Sequence, residues 1–312
     1  MRSSIAALIG LAALASAFPA HTVPRATHEH DFGCGTEPSD AFLAVAKEMG
    51  RQERGFGRLS AANATIQVQT YFHVVAANKT IEGGYVTDTM LADQLTVMNS
   101  NYAPYGISFT LAGTDKTVDA SWAVDGAELA MKKKLRKGDY KALNVYFQKE
   151  IGGNLGYCYF PDSVPAGSDD FYYDGCSILF SSLPGGSATN YNEGKTVTHE
   201  VGHWFGLFHT FQGNSCSGDG DSIADTPQQL NATRGCPIGR DSCPSVAGLD
   251  PIHNYMDYSY DACYEEFTPN QVTRAYNMFN KFRVTGPAAP NAKRAPIDLN
   301  IALAEIEAGK LD

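Results

Sequence analysis

The chain has 312 residues, of which 43% are hydrophobic and 19% are charged, so its composition is that of a folded globular protein and excludes a disordered one. Its 34 acidic residues outnumber its 24 basic residues, which leaves a formal net charge of -10 with neutral histidines. This excess of negative charge argues against nucleic acid and against anionic membranes as partners. The one basic cluster of the sequence, at residues 131–137, is interpreted as a solvated helix face.

The amino terminus carries the pattern of a signal peptide, which we assign to residues 1–17. Arg2 supplies the positive charge, residues 5–14 form a short apolar core, and Ala15-Ser16-Ala17 fits the small-residue cleavage rule. The apolar core is too short to cross a bilayer, and no later stretch reaches the needed length. We therefore expect a secreted, extracellular, monomeric protein without membrane insertion. On a eukaryotic secretory route, three sequons are open to N-glycosylation, at Asn63, Asn78 and Asn231.

Residues 18–60 have the features of a removable pro-segment. Ser39 to Arg51 carries a helical period of apolar residues, with Ser39 as the predicted cap. The stretch 51–58 is basic and interrupted by glycine, which suits a proteolytic cut. Seven cysteines in an exported chain leave one without a partner, and Cys34 stands alone near the amino end. Its thiol is interpreted as a chance free thiol, as an intermolecular link or as a zinc ligand.

Strands and helices alternate through the first half of the main domain, which we place at residues 61–284. The expected order is a strand at 66–75, a helix at 88–101, a strand at 107–111, a helix at 125–137 and a strand at 143–147. This order predicts a twisted, mainly parallel sheet with helices packed against it. A glycine-rich stretch at 152–161 is expected to form an edge strand that binds an extended peptide, with its neighbouring strand at 175–180.

The stretch 198–211 contains the motif H-E-V-G-H-W-F-G-L-F-H. His199 and His203 stand four residues apart, so they share one face of a helix and can bind one zinc ion. Glu200 between them is the candidate general base that activates a water for attack on a peptide carbonyl. His209 reaches the same metal only if the chain turns sharply, and Gly206 tolerates the positive φ of such a turn. Five residues at these spacings predict a zinc protease.

The acidic stretch 218–227 follows the zinc motif. Asp219, Asp221 and Asp225 offer the hard oxygen ligands that calcium prefers. The spacing lacks the closing glutamate of an EF-hand, so a calcium site and a plain solvated loop both stay open as interpretations.

The sequence Asn-Tyr-Met-Asp-Tyr at 254–258 is the next motif. Met256 is a candidate for an apolar support below the histidines, and Tyr258 for a hydroxyl that holds the tetrahedral intermediate. Thr268 and Pro269 then begin a last helix that is expected to reach about residue 283. We treat residues 285–312 as a C-terminal tail.

With these motifs the chain resembles the pappalysin family of metzincins, in particular the secreted fungal metalloproteases related to archaeal ulilysin. The zinc motif, the acidic stretch and the methionine turn carry the resemblance, together with Cys34-Gly35-Thr36 and residues 267–271. It spans roughly residues 34–283. It implies an α/β (α+β) metzincin-type zinc protease with a twisted mixed sheet, packed helices, an active-site helix and a loop-rich C-terminal subdomain.

The resemblance also implies roles for individual residues. One catalytic zinc ion is bound by His199, His203 and His209, with Glu200 as general base and with Met256 and Tyr258 in the supporting turn. A structural calcium ion lies near Asp221 and Asp225. Some relatives prefer a basic residue after the cut and use an acidic residue near the last cysteine; Asp261 stands at such a position, but the preference is not carried over to this chain. The implied disulfides are Cys216–Cys243 and Cys236–Cys263, with Cys158–Cys176 as the third bridge.

This reading predicts a secreted zinc endopeptidase whose partners are protein or peptide substrates. Cys34 would occupy the open position of the metal and keep the enzyme latent until the pro-segment is removed. Two alternatives stay open at this point. One is a non-catalytic, zinc-stabilised extracellular binding protein on the same fold, and the other is an astacin-like secreted metzincin.

Overall fold

The computed structural model describes residues 33–56 and 65–285. The predicted signal peptide at 1–17, the sequon at Asn63 and the predicted tail beyond Thr285 lie outside the described residues, as do residues 18–32 and 57–60 of the predicted pro-segment. None of the helices in the described ranges has the length and apolar content needed to cross a bilayer.

Regular structure follows the predicted order with shifted ends. The helices are α1 Asp40–Phe56, α2 Asp88–Tyr102, α3 Glu128–Leu135, α4 Asp169–Tyr173, α5 Lys195–Trp204 and α6 Pro269–Met278. The strands are β1 Ile66–Ala76, β2 Ile107–Val118, β3 Leu143–Gln148, β4 Gly156–Cys158 and β5 Cys176–Leu179. After α6, a wider turn of helix continues over Phe279–Val284.

The five strands form one mixed sheet in the order β2-β1-β3-β5-β4. The first four strands of that order run parallel, and β4 pairs antiparallel with β5 at the edge. The predicted mixed sheet with packed helices is thereby confirmed. The edge strand has only 3 residues, fewer than the stretch 152–161 predicted, because the glycines at 152 and 153 adopt positive φ and leave the extended path.

Helices α2 and α5 pack together on the sheet, and two hydrogen bonds join them. The Asn101 side-chain amide donates to the Thr198 hydroxyl over 2.8 Å, and the Tyr102 hydroxyl donates to the Thr198 carbonyl over 2.9 Å. A large apolar core lies between these helices and β1 and β3, with Phe72, Val145 and Val201 fully buried. This packing holds α5 rigidly, so the side chains of its inner face have fixed positions.

The basic run at 131–137 is solvated at Lys133, Lys134 and Lys137, but the interpretation as a solvated face was wrong for its other two basic residues. Lys132 is fully buried, with its ammonium 4.6 Å from the centre of the Tyr159 ring and paired with Glu128. Arg136 is also buried, and its guanidinium pairs with Asp174. The cause is tertiary, because α4 packs against α3 and the rings of Tyr157 and Tyr159 lie over the Lys132 ammonium.

A buried ion-pair cluster forms around Asp174, which is 2% exposed. Its carboxylate accepts from Arg136 on one side and from Arg283 on the other, over 3.2 and 3.0 Å. The Arg283 guanidinium lies 3.6 Å from the centre of the Trp204 ring and donates to the Trp204 carbonyl at the end of α5. A cation at the carboxyl end of a helix is favoured by the helix dipole, so the cluster anchors the end of α5.

Three disulfides brace the chain and leave Cys34 as the free cysteine. Cys158–Cys176 joins the two edge strands, and Cys216–Cys243 and Cys236–Cys263 interlace in the loop-rich region after α5. These are the pairs that the family resemblance implied. Because that region has little regular structure, the two interlaced bridges restrict it in place of a hydrogen-bonded ladder.

Candidate metal centre

The three histidines of the motif converge on one point. His199 and His203 lie one turn apart on α5, with their Nε2 atoms 3.2 Å apart. The Nε2 atom of His209 lies 3.1 Å from that of His203. All three residues are buried. A tetrahedral zinc ion with bonds of about 2.0–2.1 Å spaces its ligand nitrogens by roughly 3.3 Å, so these distances fit zinc.

A turn at Gly206 brings His209 back toward α5. Helix α5 ends at Trp204, and Gly206 follows with φ of +91°, a left-handed conformation that favours glycine. A Cβ atom at this position would also lie 2.7 Å from Cγ of Met278. Both the backbone angle and the close contact therefore require glycine here.

Hydrogen bonds to backbone carbonyls orient two of the imidazoles. Nδ1 of His199 lies 2.6 Å from the Tyr255 carbonyl, and Nδ1 of His203 lies 2.7 Å from the Leu207 carbonyl. Each Nδ1 must carry the proton, so the Nε2 lone pairs face one another with no hydrogen to share. Burial lowers the pKa of His199 to about 4 and lowers the pKa of His203 and His209 well below its usual range. Neutral imidazoles with facing lone pairs fit a cation.

Cys34 lies beside the three histidines, and Glu200 lies next to Cys34. The Cys34 thiol donates to Oε2 of Glu200 over 3.2 Å, and its sulfur lies within 4.8 Å of the ligating nitrogens of all three histidines. The Thr36 hydroxyl donates to the same Oε2 over 3.3 Å. Burial raises the pKa of Glu200 to about 8, against the two hydrogen bonds that lower it. Burial also raises the pKa of the Cys34 thiol.

Met256 packs against α5, and Tyr258 packs against His199 and His209. Met256 is fully buried against α5, where a Cβ atom added at Gly202 would lie 2.4 Å from its sulfur. The Tyr258 hydroxyl accepts from the Cys34 amide over 3.1 Å and donates to the Cys34 carbonyl over 3.2 Å. Tyr258 thus reaches the histidines, with its ring centre 5.0 Å from that of His209, while its hydroxyl is bonded to the Cys34 backbone.

A small cavity of about 30 Å³ lies beside Glu200 and is closed on one side by Gly33 and Cys34. Asp261 lines its far wall with His199. Oδ2 of Asp261 accepts from the Glu193 amide over 2.8 Å, whereas its buried Oδ1 has no hydrogen-bond partner. Burial raises the pKa of Asp261 to about 6. Asp261, which the sequence offered as a candidate, therefore lines the same cavity as Glu200 and His199.

The acidic stretch does not gather a cluster of ligands. Asp221 is buried and its Oδ1 accepts from the Ile223 amide over 3.0 Å. Asp225 instead caps α6 by accepting from the Thr268 hydroxyl and the Asn270 amide. Of the described residues, neither aspartate belongs to a group of three or more potential ligands within 4.8 Å. Burial raises the pKa of Asp221 to about 7.

Two residues of the centre had weak or no signal in the sequence. Thr36 was noted only as part of Cys34-Gly35-Thr36, yet its hydroxyl bonds Glu200 and the Cys158 carbonyl. Phe160 had no signal, and its ring meets His203 edge-on with centroids 5.4 Å apart. Of the sequons within the described residues, Asn78 and Asn231 are both exposed.

Comparisons with known proteins agree with this geometry. The family profile of peptidase M43, described as pregnancy-associated plasma protein-A, matches residues 131–280. An extracellular metalloprotease of Colletotrichum graminicola is 57% identical over 282 residues, which cover 89% of this chain and 97% of that protein. Mature mirolysin of Tannerella forsythia, solved with a cleaved peptide, matches with TM-score 0.59 and 29% identity over 70% of this chain and 92% of its own. A promirolysin mutant from the same organism matches with TM-score 0.63 and 26% identity over 80% and 94%.

The fold and the three-histidine centre define the class as a metzincin-type zinc protease. The chain belongs to the peptidase M43 family, the pappalysins, with the fungal extracellular metalloproteases as its relatives. The resemblance drawn from the motifs is thereby confirmed, and the chain is a zinc metallopeptidase. The astacin-like alternative is set aside.

Replacing Gly206 tests the turn that positions His209. Gly206→Ala should lose about 1–3 kcal/mol of unfolding free energy to backbone strain, and a further ~1–3 kcal/mol to the contact with Met278. Gly213→Ala is the matched control, because Gly213 has φ of +83° with nothing within 4 Å of an added Cβ. Urea unfolding and zinc content of both variants measure the difference. Equal stability and equal zinc content in the two variants would contradict the role of the turn.

Proposed function

We propose that this protein is a secreted endopeptidase that cleaves internal peptide bonds of proteins, with Glu200 as general base. The observation that carries the proposal is the buried Glu200 carboxylate on the open side of the histidine cluster. Its position beside the histidines suits a carboxylate that takes a proton from water and passes it on. The relatives named extracellular metalloproteases support secretion.

His199, His203 and His209 would hold the zinc ion through their Nε2 atoms. When bound, zinc acts as a Lewis acid that polarises the scissile carbonyl and lowers the pKa of the attacking water. Glu200 takes the proton of that water and delivers it to the leaving amine nitrogen. The Tyr258 hydroxyl donates a hydrogen bond to the oxyanion that develops on the carbonyl. Each step uses a group that lies at the centre.

Residues 33–56 support a latent form of the enzyme. The Cys34 thiol lies at the metal centre and donates a hydrogen bond to Glu200. The backbone amide and carbonyl of Cys34 both bond the Tyr258 hydroxyl. Its thiolate would fill the coordination position that catalysis needs, and the whole segment 18–60 would be removed on activation. Promirolysin matches 80% of this chain and mature mirolysin 70%, a difference large enough to include residues 33–56.

Asp261 supports a preference for a basic residue after the cut. Its buried Oδ1 has no partner and lines the cavity beside Glu200. Lys195 is nearby, but its ammonium donates to the backbone carbonyls of Asp261 and Tyr264. A substrate ammonium or guanidinium would supply the partner that the carboxylate lacks. Removal of Gly33 and Cys34 would open the cavity to such a side chain.

Two further proposals concern bound groups on the surface. We propose N-glycans at Asn78 and Asn231, since both side chains are exposed. We propose a structural calcium ion at Asp221, whose buried carboxylate would gain a counter-charge. Asp225 would bind the same ion only if it released its hydrogen bonds with Thr268 and Asn270 at the start of α6.

Glu200→Gln tests the general base. The amide keeps the shape of the carboxylate but cannot accept a proton, so kcat/KM of the activated enzyme should fall by about 10²- to 10⁴-fold. Peptide cleavage by mass spectrometry and zinc content by atomic absorption measure the two effects, and zinc content should stay at the wild-type level. Glu82→Gln, at an exposed position, is the control. Unchanged cleavage by Glu200→Gln would refute the mechanism, and a zinc-loaded wild type without cleavage would favour the binding-protein alternative.

Cys34→Ser tests latency in the uncut chain. A serine hydroxyl is a much weaker zinc ligand than a thiolate, so the full-length variant should cleave a reporter peptide that the full-length wild type leaves intact. Gel electrophoresis of the same samples verifies that the chain is uncut. The double variant with Glu200→Gln should be inactive, which assigns the activity to this centre. A full-length Cys34→Ser enzyme as silent as the wild type would count against the thiol as the inhibitory group.

Asp261→Asn tests the basic preference. Asparagine can still accept from the Glu193 amide but has no charge, so the preference for Lys or Arg over Ala after the cut should fall by about tenfold or more. Cleavage-site profiling on a peptide library measures it, with Asp93→Asn on the exposed face of α2 as control. An unchanged preference for basic residues would place the specificity elsewhere.

A further inference from the structure

Beside the metal centre lies an apolar site that α1 covers with the buried side chains of Phe42 and Ala46 and with the partly buried Leu43, Val45 and Met49. We call it the aromatic site, and it consists of Phe160, Met278, Phe208 and Phe282. The Phe42 ring stacks on Phe160 with centroids 4.7 Å apart and meets Phe208 edge-on at 5.6 Å. Phe42 is 6% exposed. Every side chain of the site is apolar, so it suits an aromatic or large aliphatic occupant.

The aromatic site adjoins the groups that bind the metal. The Phe160 ring meets His203 edge-on at 5.4 Å, and Phe208 directly precedes His209 in the chain. An extended peptide advances about 3.3 Å per residue. A substrate bound with its scissile bond at the histidines would therefore bring a side chain to Phe160 within about three residues of that bond.

The backbone of the pro-segment shows how an extended chain lies on the edge strand. The Gly35 amide donates to the Gly156 carbonyl, and the Leu155 amide donates to the Gly33 carbonyl, both over 2.9 Å. Thr36 continues this contact by accepting from the Cys158 amide over 2.9 Å. The edge of β4 is thus able to bind an extended backbone that leads toward the aromatic site.

The position of α1 does not depend on Phe42 alone. Arg274, which is fully buried, donates from Nη2 to Glu53 over 2.8 Å, and Asn277 donates to the same carboxylate. Lys47 pairs with Asp219. Phe42 packs on Phe160, whose ring meets His203, so removal of residues 33–56 would uncover the edge of β4 and the aromatic site together.

We propose that the aromatic site is a substrate subsite of the mature enzyme that takes an aromatic or large aliphatic side chain. Phe160 of this site follows the carboxyl end of β4. Leu155, which precedes the amino end of β4, lines the cavity that also contains Asp261. The two sites therefore receive residues from opposite sides of the scissile bond. A basic residue on the Asp261 side and an apolar residue on the other side define the preferred substrate. This inference rests on the proposed endopeptidase function.

Matched peptides test the subsite with the activated wild-type enzyme. Each octapeptide carries Arg after the expected cut and Phe, Leu, Ala or Glu at one of the three positions before it. At one position, Phe and Leu should exceed Ala in kcat/KM by about tenfold or more, with Glu lowest. Equal cleavage of the Phe, Leu, Ala and Glu peptides at all three positions would overturn the subsite and leave the endopeptidase function intact. Failure to cleave any peptide would overturn both.

Variants then assign the preference to the site. Phe160→Ala should reduce the ratio between the Phe and Ala peptides to within about threefold, while Phe160→Leu should retain most of it. Ile238→Ala removes an apolar side chain that is 76% exposed and remote from the centre, and it should leave the ratio unchanged. A ratio that survives in Phe160→Ala, measured on enzyme with full zinc content, would overturn the assignment to the aromatic site.

Discussion

His199, His203 and His209 bring three ring nitrogens together at 3.1 to 3.2 Å between neighbours, and Nε2 of His199 and of His203 carries no proton because each Nδ1 donates to a backbone carbonyl. Such an arrangement repels itself unless a cation occupies the centre or the surrounding structure holds each ring in place. Backbone carbonyls hold the first two rings through Nδ1, and the turn at Gly206 holds the third. Most of the packing around α5 serves to keep these positions fixed.

Support reaches α5 from below and from its carboxyl end. Met256 lies against Gly202, where even one added carbon atom would overlap its sulfur. Arg283 bonds the last carbonyl of the helix and is itself held by the buried carboxylate of Asp174. The two interlaced disulfides restrain the loop-rich region that carries the methionine turn. The metal centre therefore depends on residues more than 70 positions away in the chain, as the pair Arg283 and Trp204 shows.

Residues 33–42 contact the centre in three ways at once. Cys34 lies at the open side of the histidines, Gly33 and Gly35 pair with the edge of β4, and Phe42 fills the aromatic site. In the proposed latent enzyme, each contact occupies a place that a substrate would need. Because the contacts belong to one continuous segment, each is favoured once the others have formed, and α1 holds the segment through Glu53 and Arg274. Loss of the thiol contact alone would expose the metal while leaving the cleft partly covered.

The sequence by itself determined the zinc motif, the order of strands and helices and the family, because these depend on local spacing and periodicity. His199 and His203 share a face simply because 3.6 residues make a turn. Tertiary structure alone decided that Lys132 is buried, that Asp225 caps α6 and that Asp261 and Phe160 border the centre. Each of these depends on contacts between segments far apart in the chain, which no local pattern encodes; for Asp261 the family resemblance offered a candidate, but its position at the centre came from the tertiary structure. A lysine run or an isolated phenylalanine looks the same in the sequence whether water or another helix lies against it.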